Sequence, residues 1–206
     1  MKNIVFKYFD LSTTKKDQFI MMIDIYRNWN EQINLISRKD FDFFYERHVL
    51  HSLAICKVFS FQKNTNIMDV GTGGGFPGVP LAIMFPDVNF YLVDSISKKT
   101  DALQSIVNEL QLHNVVVVNK RMEDVNKKFD FIVSRAVAKL DKLVSWTKGK
   151  ISSKQINSFK NGLIFLKGGD VDHEIKNVEK YIQTYLISDF FEEDFFQEKK
   201  ILYLEK

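Results

Sequence analysis

Ile67-Met68-Asp69-Val70-Gly71-Thr72-Gly73-Gly74-Gly75-Phe76-Pro77-Gly78-Val79-Pro80-Leu81-Ala82 is the stretch on which the reading of the whole chain turns. An apolar run closes at Val70, a glycine-dense turn follows, and a helix start comes after it. Gly71, Gly73, Gly74, Gly75 and Gly78 are five of the chain's nine glycines and fall within eight residues. Glycine tolerates positive φ and lets the backbone approach a ligand closely; a purely structural strand–helix turn needs only one or two such residues. Pro77 or Pro80 suits the first turn of the following helix, where no N–H is required.

Two ligand classes compete for this loop. Gly73-x-Gly75-x-x-Gly78 fits the dinucleotide fingerprint, with Asp94 at a plausible distance for a ribose. The register Asp69-x-Gly71-x-Gly73-x-Gly75 fits instead the acidic-x-Gly-x-Gly-x-Gly loop of S-adenosylmethionine (SAM) methyltransferases. A carboxylate just before the first glycine suits a ligand with an amino group and a sulfonium and sits poorly beside a pyrophosphate, which favours SAM.

Outward from the loop, strands and helices alternate from residue 63 onwards, the mark of a parallel sheet. Strands are expected at Ile67–Val70, Val88–Val93, Val115–Val118, Phe129–Val133 and Leu163–Leu166. The four consecutive valines suggest a strand buried on both faces. Helices are expected from the glycine loop to about Phe85, over 98–112, over Leu140–Lys148 and over Val171–Tyr185. Leu186–Phe191 and Lys200–Leu204 close the sheet as an antiparallel pair. Residues 1–62 read as helical: Ser12, Thr13 and Thr14 offer caps, Phe19, Ile23, Tyr26, Asn30 and Ile33 follow helical spacing, and a second helix fits Asp40 to Phe59. Without repeats or a long linker, residues 1–206 read as one domain, a helical extension (1–62) on an α/β core (63–206).

The 206 residues suffice for a sizeable core, and 45% apolar with 27% charged residues is ordinary globular composition. The net charge of +3 does not by itself require a nucleic-acid partner. Residues 142 to 169 hold Lys142, Lys148, Lys150, Lys154, Lys160 and Lys167 with no acidic residue, either a phosphate-facing surface or a solvated lysine-rich face. Cys56 is the single cysteine, which rules out an internal disulfide and a cysteine metal cluster. The four histidines fall in separate segments without ligand spacing, so no metal is expected. With no signal-peptide pattern and no apolar run of membrane length, a cytoplasmic protein is expected.

In open parallel sheets, ligands bind beyond the carboxyl ends of the strands, near the point where strand order reverses. That rule selects Asp69 to Gly75, Asp94, Arg121-Met122-Glu123-Asp124, Ser134-Arg135 and Lys167. Each has a plainer reading: Asp94 as a cap for the helix near Ser97, Met122 and Glu123 as loop residues, Arg135 in a structural salt bridge, Arg47-His48 as a helix-surface arginine beside a packed histidine. Lys98 and Lys99 sit at a helix start, where positive charge is disfavoured.

The run Met68 to Ala82 resembles the bacterial 16S rRNA guanine-N7 methyltransferase family (RsmG, also GidB), and its Gly-Phe-Pro-Gly-x-Pro-Leu-Ala continuation is far more specific than a glycine loop. Asp94-Ser95 with Lys98-Lys99, Arg121-x-Glu123, Phe129-Asp130 leading to Ser134-Arg135-Ala136, and Leu166-Lys167-Gly168 are similar to the same family. So are Trp29-Asn30, Asn34-Leu35, Glu46-Arg47-His48 and Ser52-Leu53 upstream. The resemblance implies a class I SAM-dependent methyltransferase fold, Rossmann-like with a mostly parallel seven-stranded sheet. It implies an enzyme that methylates N7 of guanine 527 in 16S rRNA or the small-subunit precursor; a monomer is expected, although the sequence does not fix the oligomeric state.

Gly71, Gly73, Phe76, Asp94, Met122, Glu123 and Arg135 are then the cofactor residues, and Arg47, Lys150, Lys154 and Lys167 the candidates for RNA contacts. Three positions depart from the pattern: His51 stands for Asp, Ile36 for Thr and Met122 for Ala. Guanine N7 carries an in-plane lone pair, so no proton has to leave before attack and no general base is expected. A SAM methyltransferase for a small molecule and a non-catalytic nucleotide-binding regulator share the same cofactor residues.

Overall fold

The apolar run that ends at Val70 is a strand, β1 (Asn66–Val70), buried from Ile67 onwards. In the computed structural model, which describes residues 4–135, 138–178 and 181–206, β1 lies within a seven-stranded sheet. The other strands are β2 (Asn89–Asp94), β3 (Val115–Asn119), β4 (Phe131–Arg135), β5 (Gly162–Gly168), β6 (Gln183–Leu186) and β7 (Lys199–Glu205). Their order is β3-β2-β1-β4-β5-β7-β6. The strands from β3 to β5 in this order run parallel, and β7 and β6 are antiparallel to their neighbours. The order reverses between β1 and β4, so the glycine loop leaves β1 at the switch point where ligands bind in such sheets.

The period-2 alternation of strands divides the core. Ile67, Phe90, Phe131 and Ile164 face one side, with the N-terminal helices and the helices after β1 and β2. Met68, Ile132, Leu163 and Phe165 face the other, with Leu140 and Leu143. The helices are α1 (Val5–Tyr8), α2 (Thr13–Gln32), α3 (His51–Leu53), α4 (Ile55–Val58), α5 (Gly78–Met84), α6 (Ser97–Glu109), α7 (Leu140–Trp146) and α8 (Asp172–Lys176). Helix α2 buries Phe19, Met22, Ile25, Tyr26 and Asn30. The Tyr26 hydroxyl donates to the carbonyl of Gly74 at 2.8 Å, tying the extension to the glycine loop.

Four sequence expectations change. The helix expected over Asp40–Phe59 is a 3-10 turn (Arg38–Phe43), a π-helical segment (Phe44–Leu50), then α3 and α4. Ser52 Oγ donates back to the carbonyl of His48 at 2.7 Å, a bond that competes with regular helix geometry, and Tyr45 leaves the segment to bond the carbonyl of Phe19 at 2.7 Å. The valine strand β3 pairs only with β2, at the sheet edge, and Val116 is 49% exposed. The helix expected to reach Tyr185 ends at Lys176; Glu179 and Lys180, inside that expected helix, lie outside the described residues, as does Ala136 of the Ser-Arg-Ala run. The strand expected at Leu186–Phe191 is shifted earlier, to Gln183–Leu186, because Ile187 and Phe191 turn into the core through a 3-10 turn (Ile187–Asp189).

Candidate active site

Gly71 and Gly73 open the loop after β1 with φ of 63° and 55°, values that L residues with a Cβ rarely adopt. A Cβ on Gly73 would meet only the Gly71 carbonyl, at 3.9 Å, so this part of the loop presents bare backbone to the space above the sheet. Gly75 and Gly78 serve a different purpose. A Cβ on Gly75 would strike Val79 at 2.6 Å and Leu103 at 2.8 Å, and one on Gly78 would strike Leu92 and Asp69. These two glycines let α5 and α6 close onto the sheet.

Asp69 is fully buried and turned inward. Its Oδ2 accepts from Thr72 Oγ1 at 2.7 Å and from the Gly78 N–H at 2.8 Å, while Oδ1 has no partner among the described residues. The carboxylate therefore fastens the loop and does not face a ligand, so its charge does not discriminate SAM from a dinucleotide. Burial pushes its pKa up to about 7, against the two hydrogen bonds, which lower it.

Asp94 ends β2 and bridges two segments: Oδ2 accepts from the Gly73 N–H at 2.9 Å and Oδ1 from the Ile96 N–H at 2.9 Å. It thus serves the helix entry, as its plainer reading held, and holds the glycine loop as well. Each oxygen keeps a further lone pair at a cavity of about 360 Å³ lined by Gly71, Gly73, Asp94, Met122, Glu123, Arg135 and Trp146, with Lys120 and Arg121 at its rim. Bare glycine backbone, a carboxylate with free lone pairs and the buried Met122 thioether suit a nucleoside bearing a charged tail, so the residues present fit SAM.

A second cavity, of about 590 Å³, adjoins the first. Leu35, Arg47, His48 and His51 of the extension face the glycine loop, Lys167 and Glu174 across it, and Phe195 and Lys199 line it too. Gly71, Gly73, Lys99 and Arg135 line both spaces. Arg135, at the end of β4, donates from its guanidinium to the Arg47 carbonyl at 2.9 Å and bonds His48 Nδ1 at 3.0 Å. It lies 5.2 Å from the centroid of Phe76, over the ring. Among the described residues no carboxylate lies within ion-pair distance of it. Burial lowers its pKa to about 10, with Asp69 opposing, so it stays charged at neutrality.

The sequence candidates divide accordingly. Gly71, Gly73, Asp94, Met122, Glu123 and Arg135 come together around the smaller cavity, whereas Phe76 lines the larger one. Arg47 is at the larger cavity, paired with Asp40 at 2.7 Å and stacked over Phe43 at 3.9 Å. Lys167 is there too, paired with Glu174 at 2.9 Å and only 11% exposed in its side chain. Lys150 is not brought to this space: its Nζ donates to the carbonyls of Glu123 and Val125, both at 3.0 Å. Nor is Lys154, whose carbonyl accepts from Asn161 just before β5, at the opposite end of that strand.

Of the departures from the family pattern, Ile36 is buried with its N–H on Asn30 Oδ1 at 2.9 Å. His51 is buried edge-on against Phe195 and Phe196, and burial, then the charge of Arg135, hold its pKa well below the ordinary value. Lys199 and Phe195 carry no motif; they arrive because β7 pairs antiparallel with β5, placing Lys199 opposite Gly168. Among the described residues no cluster is placed to hold a metal ion, and no helix is long and apolar enough to cross a membrane.

Known proteins resemble this chain in fold and in sequence. A SAM-dependent methyltransferase structure from Aquifex aeolicus superposes with a TM-score of 0.54 over 74% of this chain and 88% of its own, at 16% identity. The fold is that of class I SAM-dependent methyltransferases. Ribosomal RNA small subunit methyltransferase G of Flavobacterium johnsoniae is 48% identical over 201 residues, 97% of this chain and 96% of its own. That of Christiangramia forsetii is 49% identical over 199 residues, 96% of this chain and 94% of its own. The family model GidB, rRNA small subunit methyltransferase G, matches residues 15–202. The chain belongs to the GidB family of methyltransferases.

Proposed function

We propose that this protein transfers a methyl group from SAM to N7 of a guanine in 16S rRNA, the guanine 527 of the family resemblance. It works in the cytoplasm as a monomeric single domain on the small subunit or its precursor. The observation that carries the reading is the pair of adjoining cavities with Gly71, Gly73, Lys99 and Arg135 in their common wall. The smaller suits a nucleoside cofactor, and the larger, which the extension completes, is roomy enough for a base.

When bound, SAM supplies an electrophilic methyl group. Asp94 would hold the ribose hydroxyls, the backbone of Gly71 and Gly73 the amino-acid end, and Met122 and Glu123 the adenine. The chain's task towards the acceptor is to place and desolvate it, since N7 attacks without losing a proton. Positioning of two reactants accounts for roughly 7–11 kcal/mol of barrier in well-oriented reactions. Arg135 gives one N–H from each terminal nitrogen to Arg47 and His48, and N7 must keep its lone pair free to attack the methyl group. The bidentate arginine grip on N7 and O6 of the common guanine contact is therefore not one this reaction can use. Lys99 and Lys199 have no ion-pair partner among the described residues and suit the phosphates flanking the base.

Incubation with methyl-labelled SAM and small ribosomal subunits, then nucleoside mass spectrometry, tests the reading. Label in N7-methylguanosine is expected. Label in another nucleoside, or turnover of small molecules with RNA untouched, overturns it.

A further inference from the structure

His48 lines the larger cavity with one ring nitrogen fixed by a neighbour and the other without a partner among the described residues. Its Nδ1 lies 3.0 Å from a terminal nitrogen of Arg135. A guanidinium has donors only, so Nδ1 accepts, and a neutral imidazole then carries its hydrogen on Nε2. Burial and the adjacent Arg135 charge lower the pKa of His48 to about 3, so the ring is neutral throughout the working range. The Nε2–H is thus a donor of settled tautomer. It is buried and has no partner among the described residues, a costly arrangement that calls for an explanation. The ring is held against Phe76 at 5.4 Å and Phe44 at 6.4 Å between centroids, and the residue lines the larger cavity.

The acceptor's chemistry supplies the missing partner. On its Hoogsteen edge guanine offers two neighbouring acceptors, N7 and O6; adenine offers N7 and a donor, the 6-amino group. An enzyme that uses N7 as nucleophile can recognise this edge only through O6, with a single donor. We propose that the His48 Nε2–H donates to O6 of the target guanine, orienting N7 towards the methyl group and rejecting adenine, whose amino group would oppose it donor to donor. Arg135 acts through His48 here as a positioning residue, by imposing the tautomer. Nε2 is covered in the structure, so engagement requires a tilt of the imidazole or of Phe76 as the base enters. Once made, the bond is shielded from competing water.

This inference rests on the reading of the larger cavity as the guanine site, and the test separates the two. Short RNAs carry guanine, 2-aminopurine (no group at position 6) or 2,6-diaminopurine (an amino group there) at the target. Each is assayed for binding and for methyl transfer with the wild-type protein and with His48→Phe and His48→Gln. His48→Phe preserves the ring's packing; His48→Gln keeps an N–H donor at similar reach and checks the result if the first variant folds poorly. For the wild type, 2-aminopurine should cost about 10- to 100-fold in transfer, the range for a hydrogen-bonding group that loses its partner, and diaminopurine more. His48→Phe should cost a similar factor on guanine and little further on 2-aminopurine, with His48→Gln partly restored on guanine.

Independent, multiplying penalties from the variant and the base change, or diaminopurine accepted as well as guanine by the wild type, overturn the role of His48. Absence of N7-methylguanosine from the wild-type reaction on guanine RNA overturns the function itself instead.

Discussion

Replacing Asp94 by alanine separates the two things its carboxylate does. In the structure it accepts from the Gly73 and Ile96 amides, each at 2.9 Å. The amide of Ile96 is at the surface and can turn to water; that of Gly73 is partly covered. Deleting both bonds should therefore cost about 1–2 kcal/mol of folding stability, near the net value of ordinary hydrogen bonds. For a chain of this size that is a fall of about 2–8 °C in Tm. The lone pairs that remain point to the cavity proposed for the cofactor, and bonds to a charged group contribute about 1.5–3 kcal/mol, or roughly 10- to 150-fold in the Kd for SAM. Asp94→Asn, with one acceptor oxygen and no charge, should fall between. Calorimetric titration with SAM, beside a thermal melt of each variant, measures both quantities. A melt lowered as expected with an unchanged Kd would refute the assignment and leave Asp94 as a fastener of the glycine loop.

Asp69 should give stability an unusual slope with pH. Its folded pKa of about 7 exceeds the ordinary 3.8, so between about pH 4 and 7 the folded chain holds a proton that the unfolded chain has lost. The group's contribution therefore falls as pH rises through that window and levels off above it; Asp69→Asn should flatten that loss of Tm between about pH 4 and 7, and profiles parallel to wild type would contradict this. His48 and His51, both held below their ordinary pKa, act in the opposite sense, their contribution being lost as pH falls below about 6.5. Lys199→Ala should reduce the salt slope of RNA binding by roughly 0.7–0.9, the effect of one phosphate contact, while Lys154→Ala leaves it unaltered; the reverse pattern would move the RNA to the other end of the sheet. Lys150→Ala should lower Tm and weaken SAM several-fold through the freed Glu123–Val125 carbonyls, without touching the salt slope. A flattened slope with normal SAM binding would return Lys150 to the RNA surface.

What the sequence disclosed was whatever local chemistry dictates. The glycine loop after Val70, the acidic residue at the end of β2 and the arginine at the end of β4 follow from alternation of strands and helices plus one rule about strand ends, and all three meet at the two cavities. The misreadings have a common cause in tertiary contact. Four valines look the same in a central strand and at an edge, and only the strand order puts β3 outermost. The inward turn of Asp69 depends on Thr72 and Gly78 closing over it. Lys150 and Lys160 belong to a basic stretch in sequence, yet one is held by backbone carbonyls and the other pairs with Glu205 at 3.1 Å. Lys199, Phe195 and the pairing of His48 with Arg135 join segments far apart in the chain, and no spacing announces them. The broken helix of 38–58 was hidden because aromatic residues at helical intervals serve a π-helical segment as well as a regular one.

The proposed acceptor of the methyl group is a ring nitrogen with a free lone pair at one site in the small-subunit RNA. Methylation of N7 leaves a fixed positive charge on the imidazole ring of guanine, and borohydride reduction followed by aniline then cuts the chain at that base. Small subunits treated with the protein and SAM, reduced, cleaved and mapped by primer extension, should show a single new break at one guanine, absent when SAM or the protein is omitted. Methyl incorporation into the RNA without any new break would place the group on another atom and contradict the account.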